Sequence, residues 1–228
     1  MLFSAKTGFP EAILQDRGII TDMRTSAAGA IITHHIADSS ASSVAVLGTG
    51  IQAFGQVSAL AKLRPLSAIQ IYGRTLSNAQ ALKAKFETAL PNTKVNIAPN
   101  SETAVKSSEI IITTTPSRSP LVQGEWLQKG QHITAVGADD IYKNEIDGAC
   151  FELANQIYID SLELNKKYGE YSHTLRANPA LVDKTTEFGE IFKQPTAHHT
   201  NEITIAKLVG VGVQDLAAAT VLMKKLND

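Results

Sequence analysis

The sequence predicts an α/β fold built on a doubly wound parallel sheet, and three observations carry that expectation. From Val44 onward, short apolar runs alternate with longer segments of helical periodicity, a pattern that implies parallel strands joined by crossover helices. Residues 44–53 read Val-Ala-Val-Leu-Gly-Thr-Gly-Ile-Gln-Ala, an apolar run that stops at a Gly-x-Gly-x-x-Ala turn and restarts as a helix. Pro65 and Pro91 each fall just past a helical stretch, where a missing N–H and a ring clash end it.

Taken in order, Met1 to Ala5 and Glu11 to Gln15 read as two strands around a Lys6-Thr7-Gly8 turn, since glycine tolerates the positive φ of a tight hairpin. Thr21 is a candidate N-cap for an Ala-rich helix running to about Ala37. The polar stretch Asp38 to Ser43 marks a domain boundary. Helices are expected over Ile51 to Arg64, Ser77 to Leu90 and Glu102 to Lys106, and strands over Ala68 to Tyr72, Lys94 to Ile97, Glu109 to Thr114, Gln131 to Val136 and Ile157 to Asp160. Thr186 to Phe192 and Gln214 to Leu226 read as helices, the second with an apolar stripe of Val213, Leu216, Ala217, Val221 and Leu222.

Composition narrows the function class. At 228 residues the chain can bury a substantial core. Its net charge of -1 and lack of a basic run argue against nucleic acid or an anionic membrane as the main partner. No apolar run approaches the length of a membrane span, and the first residues lack the order of a signal peptide. The expectation is therefore a cytoplasmic enzyme. Cys150, the single cysteine, sits among apolar neighbours and reads as a small core residue.

The glycine turn is the strongest chemical signal. Gly48 permits the turn, Thr49 and Gly50 let the backbone approach a pyrophosphate, and Ile51 and Gln52 open a helix whose free N–H groups would face the phosphates. The setting is that of a Rossmann-type dinucleotide site, although a plain strand-to-helix turn would carry the same glycines. In such sheets a carboxylate about 20 residues further on selects NAD through the ribose 2′-OH. Here the second strand ends Gly73-Arg74-Thr75 instead. A guanidinium beside a hydroxyl suits a 2′-phosphate, so NADP(H) is favoured over NAD(H), with a surface arginine stacking on adenine as the alternative.

Ligands of open parallel sheets sit beyond the carboxyl ends of the strands. Thr114, Thr115 and Pro116 follow the fourth nucleotide-binding strand, where they could line the cofactor or simply form a turn. Val136 and Gly137 end the next strand and place Asp139 beside the reactive carbon of a nicotinamide. Asp139 is a candidate acid or base, or else a helix N-cap.

Together these motifs resemble the ornithine cyclodeaminase and mu-crystallin family. The resemblance rests on Met23-Arg24-Thr25-Ser26-Ala27-Ala28, Gly48-Thr49-Gly50-Ile51-Gln52, Gly73-Arg74-Thr75, Thr115-Pro116-Ser117-Arg118-Ser119-Pro120-Leu121 and Ala135-Val136-Gly137-Ala138-Asp139. Glu187-Phe188-Gly189-Glu190-Ile191 and the run from Val211 to Ala219 complete it, in family order along nearly the whole chain. It implies a two-domain, homodimeric enzyme acting on the carbon–nitrogen bond of a small amino or imino acid. The reaction would be either cyclodeamination with loss of ammonia or reduction of a ketimine or imine by NAD(P)H. A non-catalytic NADP(H)-binding protein of the mu-crystallin type is the alternative. By the same resemblance Arg24, otherwise a surface helix residue, would hold the substrate carboxylate. Asp139 would be the acid/base group, and Lys207 would lie at the cofactor.

The domains implied are residues 1–38 as part of an α+β substrate and dimerisation domain, 39–200 as the NAD(P)-binding domain, and 201–228 as a segment returning to the first. Two departures stand out. Family members carry a further N-terminal segment with a lysine and usually another arginine, so this chain is expected to be a fragment or to hold an incomplete substrate pocket. Leu208 also replaces a serine of the family's Phe-Lys-Ser-x-Gly pattern. His34-His35 and His198-His199 are not read as metal ligands, because adjacent helical side chains diverge by roughly 100°. Trp126 reads as a packing residue.

Overall fold

The computed structural model describes residues 1–193 and 199–227. The elements in chain order are β1 (Leu2–Phe3), β2 (Pro10–Ala12), α1 (Ile19–Ile36), β3 (Ser43–Leu47), α2 (Ile51–Leu60), β4 (Ala68–Tyr72), α3 (Leu76–Ala89), β5 (Lys94–Ile97), α4 (Ser101–Lys106) and β6 (Ile110–Thr113). They continue with β7 (His132–Ala135), α5 (Gly148–Leu153), β8 (Gln156–Ile159), α6 (Leu162–Asn165), α7 (Gly169–Ala177), β9 (Thr185–Glu187), α8 (Phe188–Ile191), β10 (Thr204–Lys207) and α9 (Gly212–Asn227).

Strands β3 to β10 form one parallel sheet in the order β5-β4-β3-β6-β7-β10-β8-β9, and β1 pairs antiparallel with β2 apart from it. Val44 to Leu47 and Ile110 to Ile112 are buried because helices cover both faces of the sheet, so these strands read as continuous apolar runs. Separate apolar clusters fill the two faces: Ala45, Leu47, Ile111, Ile133 and Ile205 on one, Val44, Val46, Ile69, Ile71 and Phe86 on the other. Strand order reverses between β3 and β6, which opens a crevice at their carboxyl ends.

Several expected elements shift. Helix α1 begins before Thr21, at Ile19 after a left-handed Gly18, and Asp16 Oδ2 accepts from the Ile20 N–H at 2.7 Å. Thr186 to Phe192 is not one helix, because the β-branched Thr185 and Thr186 extend as β9 against β8 before the turn of α8.

Strand β10 was not expected at all. It slots between β7 and β8 and pairs with both, so the cofactor sheet runs beyond the boundary expected at residue 200. Nor does α1 stand apart from that sheet. It packs along α2, and Thr33 Oγ1 shares a 2.6 Å hydrogen bond with Thr134 Oγ1 of β7. The same threonine meets His132 Nε2, whose Nδ1 meets Thr204 Oγ1 of β10.

The stripe on α9 is present but not buried. Val213, Leu216 and Val221 are exposed, because α9 packs mainly on α1 and leaves this face uncovered by the described residues. Cys150 is buried in the core, and Trp126 packs against the same cluster. His34 Nδ1 accepts from Arg64, His35 packs on Phe192 with ring centroids 5.0 Å apart, and His198 lies outside the described residues. No helix among the described residues is long and apolar enough to cross a membrane.

Candidate active site

The cleft starts where β3 gives way to α2. Gly48 has φ +126°, and a Cβ there would sit 2.5 Å from Thr114 Oγ1, so both conformation and space demand glycine. Gly50 caps α2, the space where its Cβ would be is open, and no side chain caps the helix. Its first N–H groups therefore remain available, and an uncapped helix end beside open space fits a pyrophosphate.

From that turn a cavity of about 540 Å3 runs toward the end of β4, lined by Gly48, Thr49, Gly50, Arg74, Thr75 and Asn78. Its lining carries two arginines, Arg74 and Arg118, and no carboxylate. Arg118 lies 5.6 Å from the ring centroid of Tyr142.

Thr114, Thr115 and Pro116 line this cavity and a second one of about 370 Å3 on the other side. The second gathers Arg24, Gln52, Val136, Gly137, Asp139 and Lys143 with the Leu208 to Gly210 turn. Arg24 and Asp139, separated by more than a hundred residues, thus share one cavity at the far end of the dinucleotide cleft.

Asp139 accepts from Lys143 Nζ at 2.6 Å. That bond is the main reason the lysine ammonium titrates above its ordinary range. No helix follows directly, so the N-cap alternative does not hold; Asp140 instead accepts from the Tyr142 and Lys143 N–H groups of a bend at 2.7 and 2.8 Å, which draws its carboxyl down. Arg24 is already engaged from α9, with Nε 3.1 Å from Asp215 Oδ1 and Nη1 2.9 Å from Gln214 Oε1. Gln52 Nε2 donates to Asp22 O and Oδ1 at 3.1 and 3.2 Å, sewing α2 to α1 at the cavity wall.

Lys207, an expected cofactor residue, lines neither cavity. Lys207 is fully buried: its Nζ donates to Ala138 O at 2.6 Å and Leu208 O at 3.1 Å, with Glu170 Oε2 at 3.6 Å. Because β10 is an interior strand, this ammonium braces the Ala138–Asp139 turn from beneath. The Ile51 side chain is exposed along the α1–α2 groove, so only its backbone lies in the turn that would meet a phosphate.

Sequence reasoning missed Lys143, Glu145 and Asp160. Lys143 carried a usable signal, standing only four residues past Asp139. Asp160 Oδ2 accepts from the Val209 and Gly210 N–H groups at 2.9 and 2.7 Å, which seats that turn in the cavity wall. Glu145 had no signal of its own, because Thr113 and Thr115 reach it from 32 and 30 residues away and the nearer Gly137 offers only a backbone N–H.

A family model described as ornithine cyclodeaminase/mu-crystallin matches residues 1–228. The chain is 38% identical over 236 residues to a putative dehydrogenase of Rhizobium meliloti (strain 1021), covering all of this chain and 69% of that protein. An archaeal alanine dehydrogenase, solved as a dimer with bound NAD, superposes with a TM-score of 0.88 at 32% identity, over 97% of this chain and 68% of that one. The Δ1-pyrroline-2-carboxylate reductase of Thermococcus litoralis, in complex with NADH and L-proline, gives 0.87 at 26% identity, over 98% and 69% of the two chains.

Proposed function

The chain belongs to the ornithine cyclodeaminase/mu-crystallin family, and from that premise we propose that it is a nicotinamide-dependent enzyme acting on the carbon–nitrogen bond of a small amino or imino acid. The observation that carries this reading is the shared cavity of Arg24 and Asp139 at the far end of a cleft opened by the Gly48 turn. A bound dinucleotide would supply the hydride acceptor or donor. Gly48, Thr49, Gly50 and the α2 N-terminus would hold its pyrophosphate, and Thr114 to Pro116 would line its path.

Arg24 binds and orients the substrate carboxylate, exchanging one of its contacts to α9 for it. Asp139, ion-paired with Lys143, takes a proton from the substrate nitrogen or returns one as the carbon changes oxidation state. Ornithine cyclodeaminase-like chemistry and ketimine or imine reduction both use this constellation. NADP(H) is the favoured cofactor, supported by an adenosine-side cavity with two arginines and no carboxylate in its lining. A homodimer is supported by exposed Met1, Phe3, Phe9, Leu216 and Val221, an apolar surface rarely left to water. The second reading, a protein that binds NADP(H) without catalysis, is supported by the engagement of Arg24 with Asp215 and Gln214.

Titration with NADPH and NADH, followed by assays with ornithine, lysine, alanine and cyclic imino acids, separates these readings. Ammonia release without net change in reduced cofactor marks a cyclodeaminase, consumption of NAD(P)H marks a reductase, and binding alone marks the second reading. Asp139→Asn should lower turnover by about 100-fold or more, the usual contribution of an acid/base group, with dinucleotide affinity nearly unchanged. Unchanged turnover removes Asp139 from the reaction.

A further inference from the structure

The turn that carries Asp139 is tied to its neighbour from below by a side chain outside every motif. Glu145 is fully buried. Its Oε2 accepts from Thr113 Oγ1 at 2.8 Å and from the Gly137 N–H at 2.7 Å. Its Oε1 accepts from both the N–H and the hydroxyl of Thr115. One carboxylate thereby clamps the end of β6 to the end of β7. The packing is close: a Cβ on Gly137 would collide with the Thr115 backbone and with the carboxylate itself.

Burying a carboxylate is costly unless donors surround it. Burial pushes the Glu145 carboxyl up, while the Lys207 charge and the Thr115 and Thr113 donors pull it back. Each oxygen faces a backbone N–H, which can only donate, so the site calls for an acceptor at both oxygens, as a carboxylate provides. Neutral side chains could close a loop. A buried anion holding two N–H groups fixes backbone position more tightly, since charge-assisted bonds are shorter and stronger. The backbone it fixes is that of Thr115, which lines both cavities, and Gly137, which lines the second.

We propose that Glu145 is a positioning residue for the nicotinamide half of the cleft, fixing the Thr115 and Gly137 backbone against which the reactive ring is seated. The inference rests on the dinucleotide reading above. Glu145 touches neither cavity, so it acts only through these two residues.

The test compares NADH with ADP-ribose, which shares the adenosine and pyrophosphate but lacks the nicotinamide. Glu145→Gln keeps the side chain's size but turns an NH2 toward one of the two N–H groups. NADH affinity should fall about 10-fold, as expected for a lost charge-assisted bond, and ADP-ribose affinity less than about 2-fold. Equal losses for both ligands, or no loss for NADH, overturn the proposal. Should Glu145→Gln fail to fold, Thr113→Val removes one donor to the carboxylate isosterically. It should cost about 3-fold on NADH alone, and a loss shared with ADP-ribose, or none, overturns the proposal. Wild-type protein that binds none of NADH, NADPH and ADP-ribose overturns the dinucleotide reading as well, an outcome visible before any variant is made.

Discussion

Glu170→Gln should make the protein more stable at pH 8 while leaving its stability at pH 5 nearly unchanged. Glu170 is 2% exposed, on the first turn of α7. Neither of its oxygens has a hydrogen-bond partner among the described residues, and its ion pair with Lys207 is long, at 3.6 Å. Burial is the main cause that raises its carboxyl from 4.5 to about 7; Lys207 opposes the rise and the Glu145 charge adds to it. Between those two values the folded chain holds a proton that the unfolded chain has released. The stabilising contribution is therefore complete below about pH 4.5, falls as pH rises, and is gone above about 7. A rise of about 2.5 pH units, at 1.36 kcal/mol each, amounts to about 3 kcal/mol. For a chain of this size that corresponds to about 6–12 °C in Tm. Glutamine stays neutral throughout and lacks this loss. His132 gives the opposite slope: burial pushes it down to about 3, so stability falls as pH drops from 6.5 toward that value. That slope is common to both proteins and drops out of their difference. Thermal unfolding of wild type and variant at pH 5, 6, 7 and 8 should show a gap that widens with pH. Parallel curves would refute the reasoning.

Two further substitutions probe the cleft and its frame. Arg74→Ala should weaken NADPH by about 10-fold, the loss of a charge-assisted contact to the 2′-phosphate, and NADH by much less; equal loss in paired titrations sinks the 2′-phosphate assignment. Arg64 is buried and donates to four carbonyls, those of Asp38, Ala41, His34 and Ala37, binding the end of α1 to the end of α2. Arg64→Ala removes all four of these donated bonds together with the buried guanidinium's packing and should cost about 3 kcal/mol or more in urea unfolding. A cost below about 1 kcal/mol would mean that water replaces the guanidinium there.

The strands nearest the glycine turn were legible because they are apolar, short and separated by helices with plain stops. Ala68–Tyr72 and Lys94–Ile97 fall where periodicity and Pro65 and Pro91 place them. Strand β10 was hidden for the opposite reason. Thr204 and Lys207 interrupt its apolar pattern, and a lysine at a strand end reads as a surface residue. Only the sheet shows that His132 meets the threonine and that two carbonyls with Glu170 receive the ammonium. The α9 stripe shows the limit of periodicity from the other side. An apolar face is written in the sequence, but what covers it is not, and in this chain Val213, Leu216 and Val221 stay open to solvent.

The candidate site divides along the same line, between groups that face a ligand and groups that hold them there. Gly48, Gly50, Arg74, Arg24 and Asp139 stand at strand ends or on helix starts, where a motif fixes both residue type and position. The structure gathers all five around the two cavities. Lys207, Glu145 and Glu170 lie one layer below, two carboxyls and one ammonium enclosed beneath the turns after β6 and β7. Their chemistry is that of partners rather than of a spacing pattern. Glu145 is surrounded by donors and carries the charge, whereas Glu170 accepts no hydrogen bond among the described residues and is the carboxyl that burial raises to about 7. With one carboxylate balanced by one ammonium, the layer under Asp139 is close to neutral. The field in the cavity is then set by the charged groups that line it, among them Arg24, Asp139 and Lys143. Glu170→Gln preserves that balance, whereas Glu145→Gln takes away the carboxylate that offsets the ammonium and at the same time releases the Thr115 and Gly137 backbone.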